Sequence, residues 1–201
     1  MSDREWIEQY MDANGGKYIQ ANDDIWGYAE LAFKEVKSAA RLEQMLRDEG
    51  FAVETGVAGI PTCFTGTWSQ GSGKPVMGIL GEYDALAALS QEAGSAVKRE
   101  TVPGGAGHGC GHCALGTGSL AAVVAVKEYL RETGRDGTVI YFGCPAEEGA
   151  GSKQFMARAG VFEGVDFVYT WHPATVNEVE AVHSNAIMGA NFYFKGISSH
   201  A

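Results

Sequence analysis

The sequence predicts an α/β fold, a mostly parallel sheet flanked by helices, with its chemistry gathered in a crevice at the ends of the strands. Three observations lead there. Short apolar runs alternate with helical stretches, and three of those runs end directly on residues able to bind a metal or move a proton. Glycine is in excess, 28 of 201 residues, and the excess gathers at Gly104, Gly105, Gly107, Gly109 and Gly111, beside the segment richest in Cys and His. Strand and helix in alternation, with polar residues at strand carboxyl ends, is the pattern of an open sheet whose site lies at those ends.

Taken in order, residues 6–28 carry spaced apolar residues between charges and read as a helix. A second helix is expected from 38 to about 49, with Ser38 as N-cap, Leu42, Met45 and Leu46 at helical spacing, and Gly50 as the stop. Residues 51–57 and 64–68 read as strands, with Pro61 between them. Residues 75–81 form an apolar run of the buried-strand type that ends on Glu82-Tyr83-Asp84. A polar, glycine-rich loop leads to Cys110. A helix is expected from 112 to about 133, with His112 at its N-terminus, Leu120, Val123, Val124, Val126 and Leu130 inward, and Gly134 as its stop. The run 138–142 then leads into Glu147 and Glu148, and the run 167–170 into His172, with a helix at 153–158 between them. Over 187–195 the pattern changes to an alternating strand, so the chain divides into a first unit at 1–184 and the beginning of a second at 185–201.

The formal charge of −10, from 25 acidic and 15 basic residues, argues against nucleic acid or an anionic membrane as partner, since both require a basic patch. No apolar stretch approaches the roughly 20 residues of a membrane span, and the first residues lack the charged-then-apolar order of a signal peptide. A cytoplasmic protein is expected, in which Cys63, Cys110, Cys113 and Cys144 stay reduced.

The segment Gly107-His108-Gly109-Cys110-Gly111-His112-Cys113 places a thiol and an imidazole one residue apart. Alone it is equally a buried cysteine beside a capping histidine. Its companions favour a metal site, because Cys110, His112, an acidic pair at Glu147-Glu148 and His172 together make a ligand shell with one carboxylate left over as a base. Adjacent residues of a turning segment point different ways, so one of the two glutamates can bind metal while the other faces water. Asp84 is a candidate to orient His112, since a ligating imidazole usually gives its other N–H to a carboxylate. Glu82 is equally a simple turn residue, and His108 and His183 read as structural or solvent-facing. Cys110 and Cys113 also form a C-x-x-C at a helix start, so a dithiol redox centre is the rival reading. It leaves Glu147, Glu148 and His172 unexplained.

At this density the residues resemble a known family. Gly78-Ile79-Leu80-Gly81-Glu82-Tyr83-Asp84-Ala85-Leu86, Gly107 to His112, Leu115-Gly116-Thr117, Pro145-Ala146-Glu147-Glu148-Gly149, Thr170-Trp171-His172-Pro173 and Phe194 to Ala201 are similar in order and spacing to the metal-dependent aminoacylase and carboxypeptidase superfamily, in particular its aminobenzoyl-glutamate hydrolase branch. The resemblance implies a mixed, mostly parallel sheet of the zinc-peptidase type. It implies two divalent ions, manganese or zinc, held by Cys110, His112, Glu148 and His172, with Glu147 as general base and Asp84 in support. His200 would stand at the start of a lid and dimerisation domain and steady the oxyanion, and the complete family member would be a homodimer or work with a second subunit. The implied reaction is hydrolysis of the amide of an N-acyl or N-aroyl amino acid. Cys113 stands where the family has Asn or Asp, so a thiol lies near the metal and is a candidate for oxidative pairing with Cys110. The chain is expected to be truncated where the lid domain begins, which leaves an inactive metal-binding or partner-binding remnant as the alternative function.

Overall fold

The computed structural model describes residues 2–179, 185, 186, 188–190, 192–197 and 200. Helix α1 (Asp3–Tyr28) starts on a capping box in which Ser2 Oγ accepts the Glu5 N–H and the Ser2 N–H is accepted by the Glu5 carboxylate. It buries only a narrow stripe, Tyr18, Ala21 and Ile25. Helix α2 (Val36–Asp48) buries Ser38, Ala39, Leu42, Met45 and Leu46. Ser38 is therefore inside the helix rather than at its cap. Its N–H and hydroxyl both go to the Glu30 carboxylate, which also takes the Lys37 N–H and so satisfies the first turn from outside the helix. Gly50, at φ +81°, follows the helix end as expected.

Five strands form one sheet: β1 (Ala52–Thr55), β2 (Phe64–Gln70), β3 (Val76–Gly81), β4 (Gly137–Gly143) and β5 (Phe167–Tyr169), in the order β1-β2-β4-β3-β5. The β1–β2 and β2–β4 pairs are antiparallel, whereas β3–β4 and β3–β5 are parallel, so the sheet is mixed with a parallel half. Register aligns the strand exits. Gly81 is opposite Gly143 and Ile79 opposite Tyr169. Continuing those registers past the last paired residues puts Glu82, Cys144 and His172 at one level.

Along β4 the side chains alternate, Val139 and Tyr141 joining one cluster and Ile140, Phe142 and then Cys144 the other. The first cluster lies under α1, α2 and the long helix α3 (His112–Thr133), with Ile25, Leu42, Leu46, Phe64, Tyr83, Leu120 and Val124 buried in it. The second contains Met156 of the short helix α4 (Ser152–Arg158), with Val57 and Cys63. Burial on both faces is why β4 reads as a continuous apolar run, whereas the edge strands β1 and β5 are largely exposed. Helix α3 is by length and composition able to cross a membrane, contrary to the expectation that no stretch would be, but two-thirds of its apolar window (67%) is buried inside the fold.

The N-terminal end of α3 docks closely on β3. Ser119 Oγ donates to the Leu80 carbonyl at 2.6 Å, and Tyr141 OH donates to the Gly116 carbonyl at 3.1 Å. A Cβ at Gly116 would stand 2.6 Å from the Glu82 carbonyl oxygen, a backbone atom that cannot turn aside. Gly116→Ala is expected to lower the thermal midpoint. Overpacking costs about 1–3 kcal/mol, and each kcal/mol is worth roughly 2–4 °C in a chain of this size. Calorimetry checks it, and an unchanged midpoint would mean the helix does not sit this close.

The alternating strand expected over 187–195 is not formed by the residues described there. Phe192, Tyr193 and Phe194 are 79, 87 and 90% exposed and pair with none of the five strands, and without a partner ladder an alternating sequence has no reason to stay extended.

Candidate metal centre

The three parallel strands deliver their polar exits to one place. Glu82 and Asp84 follow β3, Glu147 and Glu148 follow β4, His172 follows β5, and Cys110 and His112 open α3. Gly111, at φ +81°, turns the chain into the helix, and a Cβ there would meet Pro173 Cγ at 3.1 Å. The Trp171 indole lies against Gly118, where a Cβ would meet it at 2.9 Å. These two glycines let the exit of β5 lie on α3, and so bring His172 to Cys110.

His112 is fully buried. Its Nδ1–H is donated to Asp84 Oδ1 at 2.9 Å, which fixes the tautomer and leaves the Nε2 lone pair for another partner. His172 is arranged alike. Its Nδ1–H goes to the Pro173 carbonyl at 2.9 Å, and Nε2 lies 3.2 Å from Cys110 Sγ. Around His112 Nε2 stand Glu82 Oε2 at 3.1 Å, Glu147 Oε2 at 3.7 Å and Glu148 Oε1 at 4.0 Å. The Glu82 contact is not directed as a hydrogen bond, so this buried nitrogen has none among the described residues.

An orphaned imidazole nitrogen facing a thiol, a second imidazole and carboxylates is a donor set that suits a divalent ion. Two triads fit one: the ligand atoms of Cys110, His112 and His172 lie within 4.8 Å of one another, and so do those of Glu82, His112 and Glu147. His112 belongs to both.

Uncompensated, the carboxylates push on one another and on the thiol. Burial, then contact with Glu148, pushes the Cys110 thiol up to about 12. Burial and the charge of Glu82 raise the Glu147 carboxyl. Burial would also raise Asp84, but its bonds from His112 and from the Glu148 amide outweigh that and hold it below the ordinary aspartate range. For His112 burial is likewise the largest single effect and lowers it, yet Asp84, Glu82 and Glu147 together bring the net shift upward. Positive charge at this point would relieve every one of these repulsions.

The cluster therefore contains Cys110, His112, Glu147, Glu148, His172 and Asp84 from the sequence reading. It adds Glu82, which is 6% exposed and also forms an ion pair with Lys153 of α4. Its signal was its place, directly after the buried run of β3 and two residues before Asp84. Cys113 is 4% exposed among the residues of the first apolar cluster, which favours a packing role over redox exchange. His108 is structural, its ring bonded to the Ile25 carbonyl at 3.0 Å. His200 is exposed and belongs to neither triad, and His183 lies outside the described residues.

A family model described as peptidase family M20/M25/M40 matches residues 78–186. The chain is 44% identical over 196 residues to one of the subunits of the p-aminobenzoyl-glutamate hydrolase of Escherichia coli (strain K12), a match covering 98% of this chain and 40% of that protein. Among solved structures, a dinuclear metal-binding peptidase of the M20 family from Bacillus subtilis matches with a TM-score of 0.63 at 23% identity, over 86% of this chain and 44% of that one. An aminobenzoyl-glutamate utilization protein from Klebsiella pneumoniae matches with a TM-score of 0.64 at 19% identity, over 84% and 46% of the two chains. These two likenesses establish the fold as the expected peptidase-type catalytic architecture. The chain spans less than half the length of each of the three.

Proposed function

Because the chain belongs to peptidase family M20/M25/M40, we propose that it carries the catalytic groups of a metal-dependent amidohydrolase that cleaves N-acyl or N-aroyl amino acids, with aminobenzoyl-glutamate as the model substrate. The observation that carries the reading is His112 Nε2, a buried nitrogen without a hydrogen-bond partner at the point where two triads of ligand atoms meet. Cys110, His112, Glu148 and His172 hold up to two divalent ions, manganese or zinc. Bound there, such an ion would make a water acidic enough to attack at neutral pH and polarise the scissile carbonyl.

The chain's own groups do the rest. Asp84 holds His112 in the tautomer that presents Nε2, and Pro173 does the same for His172. Glu147, the more exposed of the glutamate pair, takes the proton of the attacking water and returns it to the leaving amine. Glu82 is placed to keep Lys153 beside the acidic cluster.

Residues 185–201 are assigned to the start of a second unit, where His200 contributes to oxyanion binding. The Escherichia coli relative is by name one subunit of its hydrolase, which supports a second, different subunit as partner, and a second copy of the chain is the alternative. A cytoplasmic setting keeps Cys110 reduced and free to ligate.

The test is metal content and hydrolysis of aminobenzoyl-glutamate, measured on the same protein loaded with manganese or zinc. One or two ions per chain, lost on replacing His112 by Ala, supports the reading. A chain that retains no ion overturns it.

A further inference from the structure

We propose that Glu35, far from the glutamate pair in sequence, is a positioning residue that sets the conformation of the segment carrying Glu147 and Glu148. The assignment rests on the functional reading above for its purpose, but not for its geometry. Glu35 is fully buried, and among the described residues it forms no ion pair. A carboxylate without a cation in such a place needs several donors. Glu35 has three: its Oε1 accepts the Ala146 N–H at 2.8 Å and the Phe33 N–H at 2.9 Å, and its Oε2 accepts the Thr62 hydroxyl at 3.2 Å. Thr62 is held in turn, its carbonyl accepting Tyr83 OH at 2.6 Å.

Ala146 is where the loop is decided. It is a non-glycine residue at φ +58°, a conformation that persists only where its surroundings impose it. Its carbonyl then accepts the N–H groups of Gly149 at 3.2 Å and Gly151 at 2.8 Å, closing a tight turn around Glu147 and Glu148. With the Ala146 N–H tied to Glu35 at the entrance and its carbonyl tied at the exit, the two glutamates have little freedom left.

The segment that supplies Glu35 also braces the neighbouring strand exit. The Glu30 carbonyl accepts the Ala85 N–H at 2.8 Å, next to Asp84, and a Cβ at Gly149 would stand 2.9 Å from that of Ala32. One stretch between α1 and α2 therefore touches the exits of both β3 and β4. An apolar residue at 35 would fill the space but leave the Ala146 N–H buried and unpaired and take the partner from the half-buried Phe33 N–H. Glutamine would not. Its carbonyl can accept both, and its amide can donate to Thr62, whose hydroxyl accepts as readily as it donates.

Hydrogen exchange on the metal-free chain tests this. Glu35→Ala should speed exchange in the peptide covering 143–149 by about tenfold or more, the change expected when a buried donor loses its acceptor, with β2 and the middle of α3 unchanged. Glu35→Gln should restore protection. If Glu35→Ala does not fold, Glu35→Asp carries the test, since a side chain one methylene shorter cannot reach Ala146 and Thr62 together. A metal titration of the same variants should show affinity lowered about tenfold in the Ala or Asp variant and recovered in the Gln variant. Uniform loss of protection, or none at 143–149, overturns the proposal. Failure of the unmutated chain to bind metal would instead overturn the functional reading, and the exchange result would still decide what Glu35 holds.

Discussion

Glu147→Gln is expected to abolish hydrolysis by the metal-loaded protein, by about 10²–10⁴-fold, while metal content stays near that of the unmutated chain. The substitution keeps the volume and removes the one property the reaction needs, a carboxylate that can accept a proton. The structure places the two glutamates unequally. Glu148 is the more enclosed, with 22% of its side chain exposed against 42% for Glu147, and its own N–H is held by Asp84 Oδ2 at 2.9 Å. Glu147 has the open side and a carboxyl raised by burial and by Glu82, which makes it a stronger base than an ordinary glutamate. Yet Glu147 also stands nearer His112 Nε2, at 3.7 Å against 4.0 Å, and it is Glu147 that joins Glu82 and His112 in a triad of ligand atoms. Metal analysis of Glu147→Gln and Glu148→Gln separates the two assignments. Metal lost from the first and kept by the second would exchange their roles.

What the sequence made legible was the grammar of the parallel half of the sheet. The apolar runs of β3 and β4 stop at polar residues, and those residues supply the proposed site, Glu82 and Asp84 after β3 and Glu147 and Glu148 after β4; β5 is exposed, but its short apolar run leads likewise to His172. The pairing of His112 with Asp84 was also foreseeable, because an imidazole ligand needs a fixed tautomer. What escaped were interactions closed by the fold and not by the local pattern. Ser38 has the right type and place for an N-cap, but Glu30 reaches it from the preceding turn, and the helix begins two residues earlier. The bond from Ala146 to Glu35 spans 111 positions, and nothing near Glu35 distinguishes it from a surface glutamate at a helix start. Cys113 shows the converse. Its spacing from Cys110 suggested a dithiol, and it is the helical periodicity of α3 that turns it into the apolar cluster.

Asp84→Asn is expected to weaken metal binding by about 10–100-fold, although the proposal gives Asp84 only a supporting role. The two oxygens of this buried carboxylate do different work. Oδ1 receives the His112 Nδ1–H and Oδ2 receives the Glu148 N–H, each at 2.9 Å, so one side chain holds both the imidazole and the loop to which the proposed ligand roles belong. Asparagine can satisfy only one of them. With its oxygen toward His112, its amide meets the Glu148 N–H donor to donor, and the loop is driven off. With its oxygen toward Glu148, its amide donates to His112 Nδ1 and moves the ring proton to Nε2, the nitrogen that must stay unprotonated to bind an ion. Either orientation damages the centre by a separate route, and ring nitrogen chemical shifts of the metal-free variant would report which one is taken. Titration with manganese or zinc against a competing chelator measures the loss. Affinity equal to that of the unmutated chain would mean that neither the His112 tautomer nor the Glu148 loop depends on Asp84, and the centre would then have to be organised from Glu82 and Lys153 instead.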